Sequence, residues 1–160
     1  MASKKNVLVI GDTHEPFCHP QYKNFCYEVA NKFQCSEVVH IGDEVDNHAI
    51  SYHESKPDGH GAGYEADLAQ AAMYKWYKAF PNVKVCIGNH SALHKRKAQT
   101  SGLPERFIKS YEQAWDAPKG WKWALEWEID GVLYTHGTGS SGQAGAINRA
   151  RDARQSTVIG

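Results

Sequence analysis

The sequence predicts an α/β domain built on a parallel sheet, and three observations carry that expectation. Short apolar runs at residues 7–10, 38–41 and 83–87 alternate with segments of helical spacing, a pattern that implies crossover connections. Each run is followed at once by a polar cluster: Asp12-Thr13-His14, Gly42-Asp43 and Gly88-Asn89-His90. A fourth cluster, His136-Gly137, follows the apolar run at 132–135. Open α/β sheets bind ligands at the carboxyl ends of their strands, so these clusters should converge on one crevice.

The elements follow in order. Residues 6–10 form a short continuous apolar run suited to a buried strand. Residues 22–33 carry Tyr22, Phe25, Cys26, Val29 and Phe33 at helical spacing. Residues 37–41 are the second strand, and 42–63 a long polar and Gly-containing loop of the kind that often holds function. Residues 64–80 form a helix with a stripe of Ala69, Met73, Trp76, Tyr77 and Phe80, ended by Pro81-Asn82. Residues 83–87 are the third strand. Pro104 suits the first turn of a helix running to about Ala114. Trp121, Trp123, Leu125, Trp127 and Ile129 then alternate with polar or small residues, which predicts one continuous strand with its aromatic face in the core. Asp130-Gly131 is a hairpin turn and 132–135 the partner strand. Residues 137–145 read as a flexible Gly-rich loop, 146–153 as a helix, and 156–159 as the start of another strand.

At 160 residues, 41% hydrophobic and 22% charged, the chain fits one globular domain spanning 1–160. Lys plus Arg equals Asp plus Glu at 18 each, so bulk charge draws it neither to nucleic acid nor to an anionic membrane. No run of about 18 apolar residues predicts a membrane span, and Met1-Ala2-Ser3-Lys4-Lys5 has no signal-peptide core. Cys18, Cys26, Cys35 and Cys86 lack C-x-x-C spacing. Cys26 and Cys86 fall on apolar faces and read as buried thiols of a reducing, cytoplasmic compartment.

The clusters permit metal chemistry. Asp12 and His14, two apart in an extended loop, can share an ion, and the two oxygens of Asp43 can bridge a pair. Asn89 offers a neutral carbonyl oxygen and His136 an imidazole nitrogen. Mixed oxygen and nitrogen donors suit Mn, Fe or Zn better than Ca or Mg alone. Two divalent ions against two carboxylates leave a positive site that would attract a phosphate and supply a nucleophile at neutral pH.

These residues resemble the calcineurin-like metallophosphoesterase family, which uses D-x-H, G-D-x-x-D, G-N-H-[E/D], a later H, and G-H-x-H. Here they are Asp12-Thr13-His14, then Gly42-Asp43-Glu44-Val45-Asp46, then Gly88-Asn89-His90-Ser91, then Thr135-His136-Gly137, spanning residues 7–160. The resemblance implies an αββα sandwich with mixed sheets, its C-terminal strands missing. It implies a phosphatase or phosphodiesterase whose metal-bound hydroxide attacks phosphorus. Asp12, His14 and Asp43 would hold the first ion; Asp43, Asn89 and His136 would hold the second, roughly 3.5–4 Å away. Manganese is the first expectation, with Fe, Zn, Ni or Mg as alternatives. His90 would contact phosphate and protonate the leaving oxygen, and Asp46 would orient its imidazole. Asn89, His90 and Arg96 are the substrate-binding candidates, for a small-molecule or nucleic-acid phosphoester.

The sequence departs from the family pattern in three places. Ser91 stands where an acid is usual. Asn47 stands where protein Ser/Thr phosphatases have Arg, which weakens the case for a phosphoprotein substrate. The segment Ser156-Thr157-Val158-Ile159-Gly160 is similar to the strand and glycine that precede H-x-H, but neither histidine follows. The expectation is a domain cut off at its C-terminus, with weakened metal affinity and impaired hydrolysis, or one completed by a companion segment that supplies H-x-H. The rival reading is a non-catalytic metal-binding module that acts with a partner chain. A nucleic-acid module using Lys95, Arg96 and Lys97 is a third, disfavoured by zero net charge.

Other residues have plainer readings. His40 sits inside a strand and reads as a core histidine. His48, His53 and His60 read as solvated loop histidines. His90 to His94 is not the zinc-protease H-E-x-x-H, because no Glu follows His90. Residues 137–142 lack G-K-[ST] and so are no P-loop; a mobile loop beside the site is expected.

Overall fold

A computed structural model describes residues 5–54, 57–139 and 144–159 of the chain. Its first sheet is wholly parallel, in the order β1 (Val7–Ile10), β2 (Glu37–His40), β3 (Val83–Cys86), β4 (Trp121–Ala124). The second contains β5 (Glu126–Ile129), β6 (Val132–Thr135) and β7 (Ser156–Ile159). There β5 and β6 run antiparallel, while β6 and β7 are parallel. Five helices accompany them among the described residues: α1 (Tyr22–Lys32), α2 (Ala62–Ala79), α3 (Leu93–Thr100), α4 (Tyr111–Ala114) and α5 (Gly145–Ala153). α1 packs on β1 and α4 on β4, whereas α5 packs on β7 at the opposite side. The layers are therefore helix, parallel sheet, mixed sheet, helix.

Strand alternation sorts side chains between two cores. Leu8, Ile10, Val83, Val85 and Trp121 face the helices and meet Cys26, Ala69, Met73, Trp76, Tyr77 and Phe80. Val39, Ile41 and Cys86 face the second sheet and meet Ile129 and Tyr134. Each large side chain withdrawn in this way contributes about 1.5–3 kcal/mol. The α2 stripe is the one the sequence predicts, and all five of its residues are buried. Helix α2 begins at Ala62, two residues earlier than its spacing suggests, with Glu65 favourably placed in its first turn. Pro81 forbids its continuation.

Three expectations need correction. Residues 121–129 are two strands: the chain leaves the first sheet and enters the second at Leu125, which is 72% exposed. Residues 104–114 are a 3-10 turn, Glu105–Phe107, followed by the separate α4. α4 starts afresh because Ser110 and Gln113 form a capping box, with Gln113 N–H donating to Ser110 Oγ and Ser110 N–H to Gln113 Oε1. On α1, Phe25 and Phe33 are exposed and only Cys26 is buried. The long loop carries a 3-10 turn at His48–Ile50. Of its histidines His53 and His60 are exposed and His48 is half-buried. Part of the expected Gly-rich loop, residues 140–143, lies outside the described residues, as do residues 55–56 and Gly160. No described helix is long and apolar enough to cross a membrane.

Candidate metal centre

The β1 and β2 ladder continues beyond its strands and draws two clusters together. Ile41 N–H donates to Ile10 O at 2.9 Å, His14 N–H to Asp43 O at 2.9 Å and Glu15 N–H to Glu44 O at 3.0 Å. Asp46 N–H returns to Glu15 O at 3.0 Å. To make these turns His14, Asp43 and Asn47 adopt left-handed backbone, at φ 45°, 49° and 51°. Such conformations cost non-glycine residues about 1–3 kcal/mol each and concentrate at functional sites.

The donor atoms converge. One ligand atom each from Asp12, His14 and Asp43 lie within 4.8 Å of one another. His136, at the end of β6, reaches across from the second sheet, its Nε2 3.2 Å from Asp43 Oδ2 and 3.0 Å from Asn89 Oδ1. All five sequence-predicted ligands thus meet around Asp43. Asp43 itself is fixed: His90 N–H and Ser91 N–H donate to Oδ1 at 2.8 and 3.2 Å. Gly88 lies so close that a Cβ there would overlap Asp43 Oδ1, and a Cβ on Gly42 would come within 2.6 Å of His136 Nδ1.

The imidazoles are oriented from behind. His14 Nδ1 donates to Asp46 Oδ1 at 2.7 Å, and His136 Nδ1 donates to Ile41 O at 3.1 Å. Each bond leaves Nε2 as the free lone pair, the arrangement that metal-ligating histidines require. Around His136 Nε2 the neighbours are acceptors, Asp43 Oδ2 and Asn89 Oδ1. A carboxylate, a carboxamide oxygen and an imidazole nitrogen facing one another are matched by a cation. This donor set fits divalent metal ions of the Mn, Fe and Zn type.

His136 Nε2 can also carry a proton and donate it to Asp43, and a bound cation would take the place of that proton. Hydrogen bonding to Asp43, set against burial, raises the His136 pKa. Burial works to raise Asp43, but the bonds from His136, Ser91 and His90 outweigh it and hold the carboxyl low. Asp12, with its side chain 34% exposed, is raised by partial desolvation, opposed by His136 and reinforced by Asp43. Two neighbouring carboxylates in this setting favour a cation between them.

His90 stands beside the ligands, its ring 4.7 Å from that of His14 and edge-on to it. The expected service of Asp46 to His90 is divided. The nearest partner of His90 Nδ1 is the Asp46 main-chain O at 2.5 Å, while Asp46 Oδ1 is 3.3 Å away and bonds more closely to His14. Arg96 lies on α3 with its guanidinium 5.2 Å over the Tyr52 ring. Among the described residues it makes no hydrogen bond to the cluster.

Sequence reasoning missed the supports. Glu44 is fully buried, accepting from Ser91 Oγ at 2.5 Å and from Trp123 Nε1 at 3.0 Å. A carboxylate therefore does stand beside Ser91, but position 44 supplies it. Ser91 Oγ also accepts from Asp43 N–H at 3.1 Å. Asn47 Nδ2 donates to His90 O at 3.1 Å and so ties the two loops. The available signal was a second acid, Glu44, directly between Asp43 and the apolar Val45.

Beneath the cluster His40 is 1% exposed, as its strand position predicts. Its Nδ1 accepts from Gly42 N–H, so Nε2 carries the proton and faces Thr13 Oγ1 at 3.1 Å, which donates in turn to Glu44 O. Burial pushes the imidazole pKa down to about 3. Below pH about 6.5 the unfolded chain therefore takes up a proton that the folded chain refuses, and stability falls as pH drops toward 3. The urea midpoint of the wild type should fall more between pH 7 and 5.5 than that of His40→Gln; equal falls would contradict the assignment.

Two sheets in αββα layers, with carboxylates, imidazoles and a carboxamide gathered at their strand ends, define a class: the metal-dependent phosphoesterases. The chain belongs to the calcineurin-like phosphoesterase family, whose model matches residues 5–157. Membership implies metal-dependent phosphoester hydrolysis. Among curated proteins none matches the chain.

Proposed function

We propose that this chain hydrolyses phosphoesters at a dinuclear centre, with Asp12, His14 and Asp43 holding one divalent ion and Asp43, Asn89 and His136 the other. The observation that carries the reading is the placement of Asp43, whose Oδ2 faces His136 and whose carboxylate also groups with Asp12 and His14. When bound, paired cations polarise a phosphoryl oxygen and lower the pKa of water. The protein's own part is positional. Asn89 and His90 bind the phosphate, His90 gives the leaving oxygen its proton from Nε2, and the Asp46 main-chain O holds the ring by Nδ1. Asp46 Oδ1 keeps His14 in the ligating tautomer.

Manganese is the first metal of this reading, on the strength of the mixed donors. Because the two sheets build the centre jointly, residues 1–160 are read as one domain. Four thiols, two of them buried, support a reducing cytoplasmic setting. The test is metal analysis of purified protein together with hydrolysis of aryl phosphate mono- and diesters. The reading expects binding of about two divalent ions per chain and turnover that chelation abolishes. Hydrolysis insensitive to chelation would reject it, and tight metal binding without hydrolysis of either ester would favour the non-catalytic module.

A further inference from the structure

The zero net charge of the chain conceals an asymmetry. No Asp or Glu occurs between Asp67 and Glu105, a stretch that holds β3, the Gly88–Ser91 turn and α3. Within it Lys95, Arg96 and Lys97 stand together on α3. Elsewhere Lys5, Lys84 and Arg149 pair with the carboxylates of Glu37 and Glu126. Among the described residues none of the three α3 cations is paired in this way. They rest on aromatic rings instead. Lys95 Nζ lies 4.7 Å over Tyr111, Lys97 Nζ lies 3.9 Å over Tyr52, and the Arg96 guanidinium shares the Tyr52 ring at 5.2 Å. A ring face orients a cation without cancelling its charge. Tyr52 is tied to α3 in turn, its hydroxyl 3.0 Å from Thr100 Oγ1. Arg96 is exposed, and Lys95 and Lys97 are half-buried.

This row of charge begins at the candidate metal centre. α3 grows straight out of the turn that carries Asn89 and His90: Ala92 N–H donates to Gly88 O at 3.1 Å and Leu93 N–H to His90 O at 3.0 Å. Arg96 and Thr100 lie about 6 and 12 Å beyond Ala92 along the helix axis, at a rise of about 1.5 Å per residue. A phosphate held by Asn89 and His90 would therefore have the next phosphates of a phosphodiester chain beside Lys95, Arg96 and Lys97.

The opposite flank is aromatic. Strand order sets the loop after β1 and the loop after β3 on either side of Asp43, which follows β2. Phe17, in the loop after β1, donates its N–H to His14 O at 2.8 Å, yet its ring is 54% exposed. It stacks on exposed His60, 4° from parallel with centroids 6.2 Å apart. His60 in turn meets Tyr64, 58% exposed, edge-on at 5.0 Å. Contiguous exposed rings of this kind mark a binding surface.

A partner that uses both flanks is a chain of phosphates bearing flat rings. We propose that the substrate is single-stranded nucleic acid, its backbone running along Lys95, Arg96 and Lys97, one phosphodiester at the centre and a base stacked on Phe17. As a statement about substrate class it rests on the phosphoesterase reading. A positive track with aromatic platforms holds single strands without regard to sequence. A duplex keeps its base faces covered and can use the track alone. Cleavage consumes one water: the P–O bond to the leaving oxygen breaks and a P–O bond to the water oxygen forms. His90 gives the leaving oxygen a proton, one water proton replaces it, and the other passes to solvent.

The test begins with metal-free protein, so that it reads binding apart from hydrolysis. The probes are a fluorescein-labelled twelve-residue oligothymidylate and the oligouridylate of the same length, followed by anisotropy. At least one should bind saturably. With Lys95, Arg96 and Lys97 each neutralising one phosphate, log affinity should fall against log salt with a slope of about −2, a loss of about eighteenfold between about 50 and 200 mM. Replacing all three by Gln should bring that slope close to zero. Phe17→Leu keeps an apolar side chain and removes the ring, so it should bind at least fivefold more weakly with the slope unchanged. Partial unfolding would not separate slope from level in this way, and circular dichroism checks the fold. Lys119→Gln with Lys122→Gln, at the amino end of β4, should bind as the wild type does. With manganese, the ratio of kcat/KM for the oligonucleotide to that for an aryl phosphodiester should fall at least fivefold in both flank variants. Absence of salt-sensitive binding, equal binding by wild type and both flank variants, or a duplex bound as tightly as the single strand overturns the proposal even where aryl esters are hydrolysed. Binding with the expected variant effects in a protein that hydrolyses no ester upholds the surface and sinks the phosphoesterase reading instead.

Discussion

Asp43→Asn is expected to lower metal-dependent hydrolysis of an aryl phosphate by about a thousandfold or more, equivalent to ~4 kcal/mol of transition-state stabilisation. The substitution is nearly isosteric. An Asn Oδ1 can still accept the main-chain N–H groups of His90 and Ser91, so the 88–91 turn keeps its anchor. What disappears is the negative charge between the Asp12–His14 side and the Asn89–His136 side. An amide nitrogen would then face His136 Nε2, a donor set against a lone pair required for the metal. A mere loss of folding is separable from this outcome by melting. In chelator, wild type and variant should melt within a few degrees of each other. On adding manganese only the wild type should rise, because a ligand that binds the folded state alone stabilises it by mass action. An equal manganese-induced rise in both proteins would remove Asp43 from the ligand set.

The prominence of Asp43 was legible because side chains able to hold a metal are chemically conspicuous. Carboxylate, imidazole and carboxamide side chains directly after apolar strands have few other uses, and the strand ends fix where they meet. The structure brings Asp12, His14, Asp43, Asn89 and His136 together from four separate stretches of chain. The supports were not legible in the same way. Glu44, Ser91 and Asn47 matter through partners 47, 48 and 43 residues away. No local pattern announces a bond of that kind.

The fold divides similarly. The strand runs and the α2 stripe reported themselves because burial imposes a period. The break at Leu125 did not, since alternation records only that one side of each strand is buried. Trp121 and Trp123 face the helices while Trp127 and Ile129 face the first sheet, and the period of two runs unbroken through the switch. The split at 104–114 had a visible signal in Ser110-Tyr111-Glu112-Gln113, a capping sequence inside the supposed helix. Phe25 and Phe33 show the converse: helical spacing marks a face, but what covers that face is decided elsewhere in the chain.

Gly88→Ala tests the clamp on Asp43 from the other side. The side-chain hydrogen of Gly88 is all that the space admits: a Cβ would overlap Asp43 Oδ1 and lie 2.7 Å from both Asp43 Cγ and Asp43 N. Neither neighbour can give way cheaply. The Asp43 backbone is left-handed and bound through its N–H to Ser91 Oγ, while Gly88 N–H donates to Ser91 Oγ at 3.3 Å and Gly88 O accepts from Ala92 N–H at 3.1 Å. The added methyl must displace the carboxylate or open the turn. Overpacking of this kind costs about 1–3 kcal/mol, and a misplacement on the order of 1 Å lowers catalysis by about a hundredfold. Both losses should appear together in Gly88→Ala, in the urea midpoint and in manganese-dependent turnover. Gly63→Ala is the matched control. Gly63 lies within α2 with nothing within 4 Å of an added Cβ, so there the methyl should raise stability by about 0.5–1 kcal/mol. Full turnover in Gly88→Ala would mean that Asp43 has room to move, and the tight seat assigned to its carboxylate would be wrong.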